Sequence, residues 1–207
     1  MIRVKILFVL EESRIGGPHV YVVRLISTLN VLYNHLNYKY SFLFPLKNSN
    51  KLQNLCRDHK VNFKTIQLSG LSKSFYTILC FFLLFPLELY LLISYIRKYN
   101  YDIIYLAGGS WQFKALIAGK LARKKVVWHL NDTYIPKYLC ILFRFLSLFS
   151  DAFIFASHRT KEYYKPLMQF EKLEFIIPSP VDTQRFRPFP DSLPCNTLLN
   201  DLETKFI

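Results

Sequence analysis

The chain has 207 residues, 52% hydrophobic and 20% charged, which excludes a disordered polymer and is enough to bury a core as one large domain or two small ones. Lys and Arg outnumber Asp and Glu by 27 to 14, and the net charge of +13 calls for an anionic partner: a phosphorylated ligand, anionic lipid or nucleic acid. The basic residues are scattered, with Arg123-Lys124-Lys125 the only tight cluster. No nucleic-acid-binding motif is legible, which leaves a membrane surface or a nucleotide-type ligand.

Val4 to Leu10 is a near-continuous apolar run, the pattern of a strand buried on both faces of a parallel sheet. Glu11 to Arg14 break it, Gly16-Gly17-Pro18 follow, and from Val22 to Leu36 the apolar residues take the 3/4 spacing of a core-facing helix. Pro18 suits a helix start, where its missing N–H had no partner to lose. Two glycines at a strand-to-helix turn let a ligand approach the backbone beside the positive end of the helix dipole. The turn reads either as phosphate-facing or as a tight bend that only needs small residues. It is not the G-x-G-x-x-G dinucleotide fingerprint, and no later acidic residue stands ready to hold a ribose.

Strands and helices then alternate. Strands are expected at Tyr40 to Leu46, Val61 to Leu68, Asp102 to Leu106, Val126 to Leu130, Asp151 to Ala156 and Leu173 to Ile177. Helices are expected at Asn50 to His59, Phe75 to Ile96, Trp111 to Ala122, Ile135 to Phe149 and Arg159 to Met168. This alternation predicts an α/β fold: a Rossmann-like, doubly wound parallel sheet with helices on both faces. The helix over 75–96 would be about 33 Å long, enough to cross a bilayer. Pro86 and Glu88 interrupt it, and the alternation needs a crossover helix there, so a buried or interface-lying helix is favoured over a span. Phe81, Phe82, Phe85 and Tyr90 on a basic protein fit peripheral attachment to an anionic leaflet, and core packing explains them equally.

Cys56, Cys80, Cys140 and Cys195 are far apart with no C-x-x-C pair, which argues against a zinc site or a disulfide framework and for a reducing compartment. The N-terminus enters a strand directly, without the apolar core and cleavage site of a signal peptide, so the cytoplasm is expected. Pro178, Pro180, Pro188, Pro190 and Pro194 make the region after Ile177 an extended strap.

Several stretches together resemble the family 4 glycosyltransferases, which have the GT-B fold. They are "KILFVLEESRIGGPHVYVVRLISTL" (Lys5 to Leu29), "YDIIYLAGG" (Tyr101 to Gly109), "KKVVWHLND" (Lys125 to Asp132), "DAFIFASHRTKEYY" (Asp151 to Tyr164) and "IIPSPVDTQRFRP" (Ile176 to Pro188). The resemblance implies two Rossmann-like domains, an N-terminal one for the acceptor and a C-terminal one for the nucleotide sugar. Residues 1–178 correspond to the acceptor domain, and 179–207 to the interdomain strap and the opening of the donor domain. The family's donor-binding glutamates and basic residues have no counterpart here. The expectation is therefore a truncated or split transferase domain, inactive alone, with no metal or other cofactor. Its expected partners are a nucleotide sugar, a glycan or lipid-linked acceptor at the inner membrane face, and a separate chain carrying the donor domain. A non-catalytic module binding glycan, lipid head group or protein on the same fold is the alternative.

The resemblance also assigns residues. Gly16 and Gly17 match the turn facing the donor phosphates, with Gly17 the closer. The histidine position of the "VVWHLND" strand is held by Asn131, which can hydrogen-bond an acceptor hydroxyl but cannot take its proton. His129, two residues earlier and on the same strand face, either substitutes for it or is a buried histidine satisfied by the backbone. Asp132 is either a ligand-facing carboxylate at a strand's carboxyl end or a helix cap before Ile135. Gly108, Gly109 and Trp111 line an acceptor pocket on this reading, with Trp111 stacking on a sugar or buried at a helix entry. Ser157 matches the family's cleft serine or caps the next helix. Arg159 meets an anionic ligand or is solvated. Val181-Asp182 and Phe186 look structural. Gly17 and Asn131 are expected at opposite ends of the body.

Overall fold

The computed structural model describes residues 4–12, 15–33, 37–69, 75–168 and 171–179. The expected strap residues Pro180, Val181, Asp182, Phe186, Pro188, Pro190 and Pro194 lie outside these, as do Arg14, Leu36, Gly70 and Cys195. Seven strands form one parallel sheet in the order β3-β2-β1-β4-β5-β6-β7: β1 (Val4–Val9), β2 (Tyr38–Pro45), β3 (Phe63–Ile66), β4 (Ile103–Leu106), β5 (Lys125–Leu130), β6 (Ala152–Phe155) and β7 (Leu173–Ile176). Among the described residues the six helices are α1 (Gly17–Leu32), α2 (Asn50–Asp58), α3 (Phe75–Tyr99), α4 (Phe113–Leu121), α5 (Lys137–Leu146) and α6 (His158–Tyr164), the last two each continued by a single 3₁₀ turn.

The strand order reverses between β1 and β4, so α1 and α2 cover one face while α3, α4 and α5 cover the other. Leu7, Val9, Leu43, Ile104, Leu106, Trp128 and Phe153 bury against the second group, joined by Leu92, Leu116 and Phe143 from its helices. Phe8, Leu10, Phe42, Phe44 and Tyr105 point the other way, onto Val22, Ile26 and Leu52 of α1 and α2. The pleat of each strand thus serves both faces, which is why the apolar runs are continuous rather than alternating.

Helix α3 is the crossover from one sheet edge to the middle. Glu88, in its interior, is buried and pairs with Lys114 of α4, which is fully buried. Ser69 completes the cluster: its N–H donates to Glu88 Oε1 at 2.5 Å, and Lys114 donates to the Ser69 carbonyl at 2.7 Å. The Lys114 ammonium also sits 3.9 Å from the centre of the Phe81 ring. The charge that seemed costly in this helix is therefore a partnered group in the protein interior. Leu83, Leu87 and Tyr90 lie exposed on the outer face of α3. Among the described residues no helix is long and apolar enough to cross a membrane.

Candidate functional site

A parallel sheet gathers all of its strand-to-helix loops at one edge, and ligands bind where the strand order reverses. The loop from β1 to α1 and the loop from β4 to α4 part at that point. Between them opens a cleft of about 790 Å³ lined by Glu12, Gly17, Pro18, Val20, Tyr21, Arg24, Gly108, Trp111, Asn131, Asp132 and Ser179. Gly17 and Asn131 therefore share one cleft, not opposite ends of the body as expected. β1 and β5 run parallel, so the residues that follow their carboxyl ends emerge on the same edge.

Gly16 caps α1 and Pro18 sits in its first turn. His19 pins the loop from inside: its Nδ1 accepts the Gly16 N–H at 3.2 Å, and its Nε2–H donates to the Glu12 carbonyl at 2.8 Å. Burial holds its pKa below the ordinary imidazole value, consistent with a neutral ring. A Cβ built on Gly17 would meet nothing within 4 Å, so the space in front of the helix start is open. The first-turn N–H groups and the positive end of the helix dipole face that space.

Glu11 ties this loop to the next. Its N–H donates to Gln112 Oε1 and its own Oε1 accepts the Ala115 N–H, each at 2.8 Å, which holds the first turn of α4 against the end of β1. Burial pushes the Glu11 carboxyl up to about 7, against the opposing pull of the Ala115 N–H and of Lys114.

Gly108 and Gly109 both take positive φ, +102° and +88°, values that L side chains rarely adopt. A Cβ on Gly109 would come within 2.5 Å of Asp132 Oδ2, so this glycine makes room for the carboxylate. The Gly109 carbonyl accepts the indole N–H of the buried Trp128 at 2.9 Å. Trp111, in contrast, is half-buried and lines the cleft.

Asp132 does not cap the following helix, because α5 begins only at Lys137. Its Oδ1 accepts a short hydrogen bond from the Tyr164 hydroxyl, and its carboxylate also takes the Ser110 N–H. Burial raises its pKa above the usual carboxylate value, and these donors oppose the rise. The same burial, reinforced by Asp132, pushes the Tyr164 hydroxyl upward, so it remains a donor. Asn131 is half-buried beside it, and its side-chain amide has no partner among the described residues.

His129 lies apart from this group. It is fully buried, Tyr105 Oη is 2.9 Å from its Nδ1, the Tyr21 ring meets it edge-on at 5.2 Å, and its Nε2 has no hydrogen-bond partner among the described residues. Burial lowers its pKa to about 4, so the imidazole is neutral, and Tyr21 stands between the α1 side of the cleft and the ring. Ser157 caps α6 by accepting the Thr160 N–H at 3.1 Å, and Arg159 is exposed on that helix; neither lines the cleft.

The structure thus brings together Gly17, Gly108, Trp111, Asn131 and Asp132, seats Gly16 and Gly109 directly behind them, and leaves His129, Ser157 and Arg159 outside. Glu12, Tyr21 and Arg24 join the lining, while Glu11, His19 and Tyr164 support it. All six lie within the stretches Lys5 to Leu29 and Asp151 to Tyr164 that carry the family resemblance, but nothing in their type or spacing singles them out there.

The family model described as Glycosyltransferase Family 4 matches residues 15–185. Solved structures similar to this chain include HepE (Alr3699) of Anabaena in complex with UDP and glucose, at 15% identity and a TM-score of 0.69 over 97% of this chain and 50% of that one. A glycosyltransferase from Rickettsia africae superposes at 17% identity and a TM-score of 0.65, covering 98% and 49% of the two chains. MurG of Acinetobacter baumannii does so at 12% and 0.58, covering 92% and 50%. This chain spans about half the length of these structures. A search among curated proteins finds no match.

Proposed function

The chain belongs to glycosyltransferase family 4, and from that membership we propose that its cleft is one wall of a site that moves a sugar from a nucleotide-sugar donor to a glycan or lipid-linked acceptor. One observation carries the reading: an open helix start at Gly17 shares a cleft, at the strand-order reversal, with Asn131, Asp132 and Trp111. The complexes of HepE with UDP and with UDP-glucose support the choice of donor class. In the reaction a bond forms between the acceptor oxygen and the anomeric carbon as the bond from that carbon to the diphosphate breaks. The acceptor's hydroxyl proton passes to the departing diphosphate oxygen in the same process. The N–H groups at the start of α1 stabilise charge growing on the leaving diphosphate. Asn131 and Asp132 hydrogen-bond the acceptor hydroxyl, and Trp111 stacks on its ring.

The remaining donor contacts belong, on this proposal, to a second domain outside these 207 residues, and the chain by itself does not turn over. Its place is the cytoplasmic membrane face, where the exposed Leu83, Leu87 and Tyr90 on α3, together with a net charge of +13, support peripheral attachment. A second reading has one specific observation behind it. Asn131 cannot accept a proton and His129 is sealed behind Tyr21, which favours a module that binds sugar without transferring it.

Mixing the chain with a GT-B donor domain and following labelled sugar from a panel of nucleoside-diphosphate sugars separates the two. Transfer that needs both components, and that Asp132→Ala abolishes, supports the transferase. Glycan binding without transfer in any combination supports the binding module, and hydrolysis by the chain alone contradicts its dependence on a second domain.

A further inference from the structure

The edge of the sheet opposite the cleft holds a second, smaller cavity. About 110 Å³ of space lies between the amino-terminal ends of β1 to β3 and the last turn of α3. Lys5, Lys39 and Lys64 reach it from the three strands, and Tyr95, Tyr99 and Tyr101 wall it on the helix side.

The pleat makes these lysines notable. Lys5 shares a face with Leu7 and Val9, Lys39 with Leu43, and Lys64 with Ile66, all of which belong to or pack on the core beneath α3 and α4. The sequence therefore places three cations on the strand faces that bury the core further along, with Lys5 half-buried and Lys39 and Lys64 exposed at the strand starts. Lys5 and Lys39 are also register partners on adjacent strands, where like charges side by side are unfavourable. No counter-charge relieves this: none of the three ammonium groups has an ion pair among the described residues. The neighbouring carboxylate, Asp102, accepts the Lys5 backbone N–H at 2.8 Å, a bond that does not cancel its charge, but among the described residues it forms no ion pair with any of the three ammonium groups. Lys5 is tethered by donating to the Tyr99 carbonyl at 3.0 Å, which fixes its head at the cavity, while Lys39 and Lys64 have no hydrogen-bond partner among the described residues.

Neutral donors surround the cations. The Tyr95 hydroxyl lies 3.5 Å from that of Tyr101, and burial pushes its pKa well above the ordinary phenol value, so it keeps its proton. Ser41 and Asn62, 3.4 Å apart, add a hydroxyl and an amide to the floor.

We infer that this cavity is a binding site for a phosphate monoester or an ion of the same shape and charge. It is too small for a nucleotide sugar, it lies on the far edge from the cleft, and it rests on none of the reasoning about sugar transfer. Three un-paired cations around hydroxyl donors match a dianionic tetrahedral group, and its charge would offset the repulsion that the strand register creates. The phosphate can arrive free or on a lipid head group.

Calorimetric titration of the full chain with inorganic phosphate, against chloride at matched ionic strength, tests the inference. A parallel arm measures sedimentation with vesicles of phosphatidylcholine alone or containing phosphatidic acid. Saturable phosphate binding that weakens at least about tenfold in Lys39→Gln/Lys64→Gln, and survives in Lys39→Arg/Lys64→Arg, supports a site for the free ion. The same pattern only with phosphatidic acid vesicles supports the lipid-borne group. Absence of saturable binding in both arms, or equal binding by the Gln variant, overturns the proposal. Circular dichroism of the variants confirms that each retains the fold.

Discussion

Replacing Glu11 by Gln isolates the energetic consequence of burying a carboxyl group between two site loops. The group titrates at 4.5 when unperturbed and is pushed up to about 7 in the folded chain. Between those values the unfolded chain has released the proton and the folded chain still holds it, so folding loses stability as pH rises through this window. At about 1.4 kcal/mol per unit, the loss is a little over 3 kcal/mol at about pH 8 and under 1 kcal/mol at about pH 5. Glutamine keeps an oxygen to accept the Ala115 N–H but cannot ionise, so it escapes the loss. Urea denaturation of both proteins at the two pH values reads the difference directly. The variant should gain about 2–3 kcal/mol relative to wild type between about pH 5 and about pH 8, which is roughly 5–10 °C in Tm for a chain of this size. A gap that stays constant or narrows with rising pH would refute the burial argument.

His129 titrates with the opposite sign. Its pKa falls from 6.5 to about 4 on burial, so wild type should lose stability as pH drops through that interval, while His129→Phe should show a shallower acid decline in the same denaturation series. Lys114→Met strands the buried Glu88 carboxylate and should cost about 3–5 kcal/mol, most of it recovered in Lys114→Met/Glu88→Leu. A single-variant loss under about 1 kcal/mol would contradict the pairing. Gly109→Ala should destabilise by about 1–3 kcal/mol, because it combines φ of +88° with a clash against Asp132, whereas Gly17→Ala should leave the unfolding midpoint nearly unchanged. Thermal unfolding of the two glycine variants side by side gives the comparison.

The sheet was legible because its signals are local. The run from Val4 to Leu10 and the element from Asp102 to Leu106 announce buried strands, and the glycines that follow each mark the loops of the cleft. Contacts between distant residues left no such trace. Glu11 meets Ala115 across 104 positions and Tyr164 meets Asp132 across 32, so neither support for the site could be read from spacing. Pattern reasoning also failed where a strand stops. Two-residue parity puts His129 and Asn131 on one face only while the pleat continues, but β5 ends at Leu130. Asn131 leaves the sheet for the cleft, and His129 stays in the core against Tyr105. Of the two roles open to Asp132, the helix cap falls away because the chain runs through Pro136 before α5 begins.

On the proposed function, the cleft at the strand-order reversal takes a nucleotide sugar. Titrating the ¹⁵N-labelled chain with a panel of nucleoside-diphosphate sugars at millimolar concentration tests it most directly. At least one donor should shift the amides of Gly17, Gly108, Trp111, Asn131 and Asp132 together and saturably, and Gly17→Trp should remove those shifts while leaving the rest of the spectrum in place. Saturable shifts confined to other parts of the molecule, or none at these five amides with any donor, would contradict it.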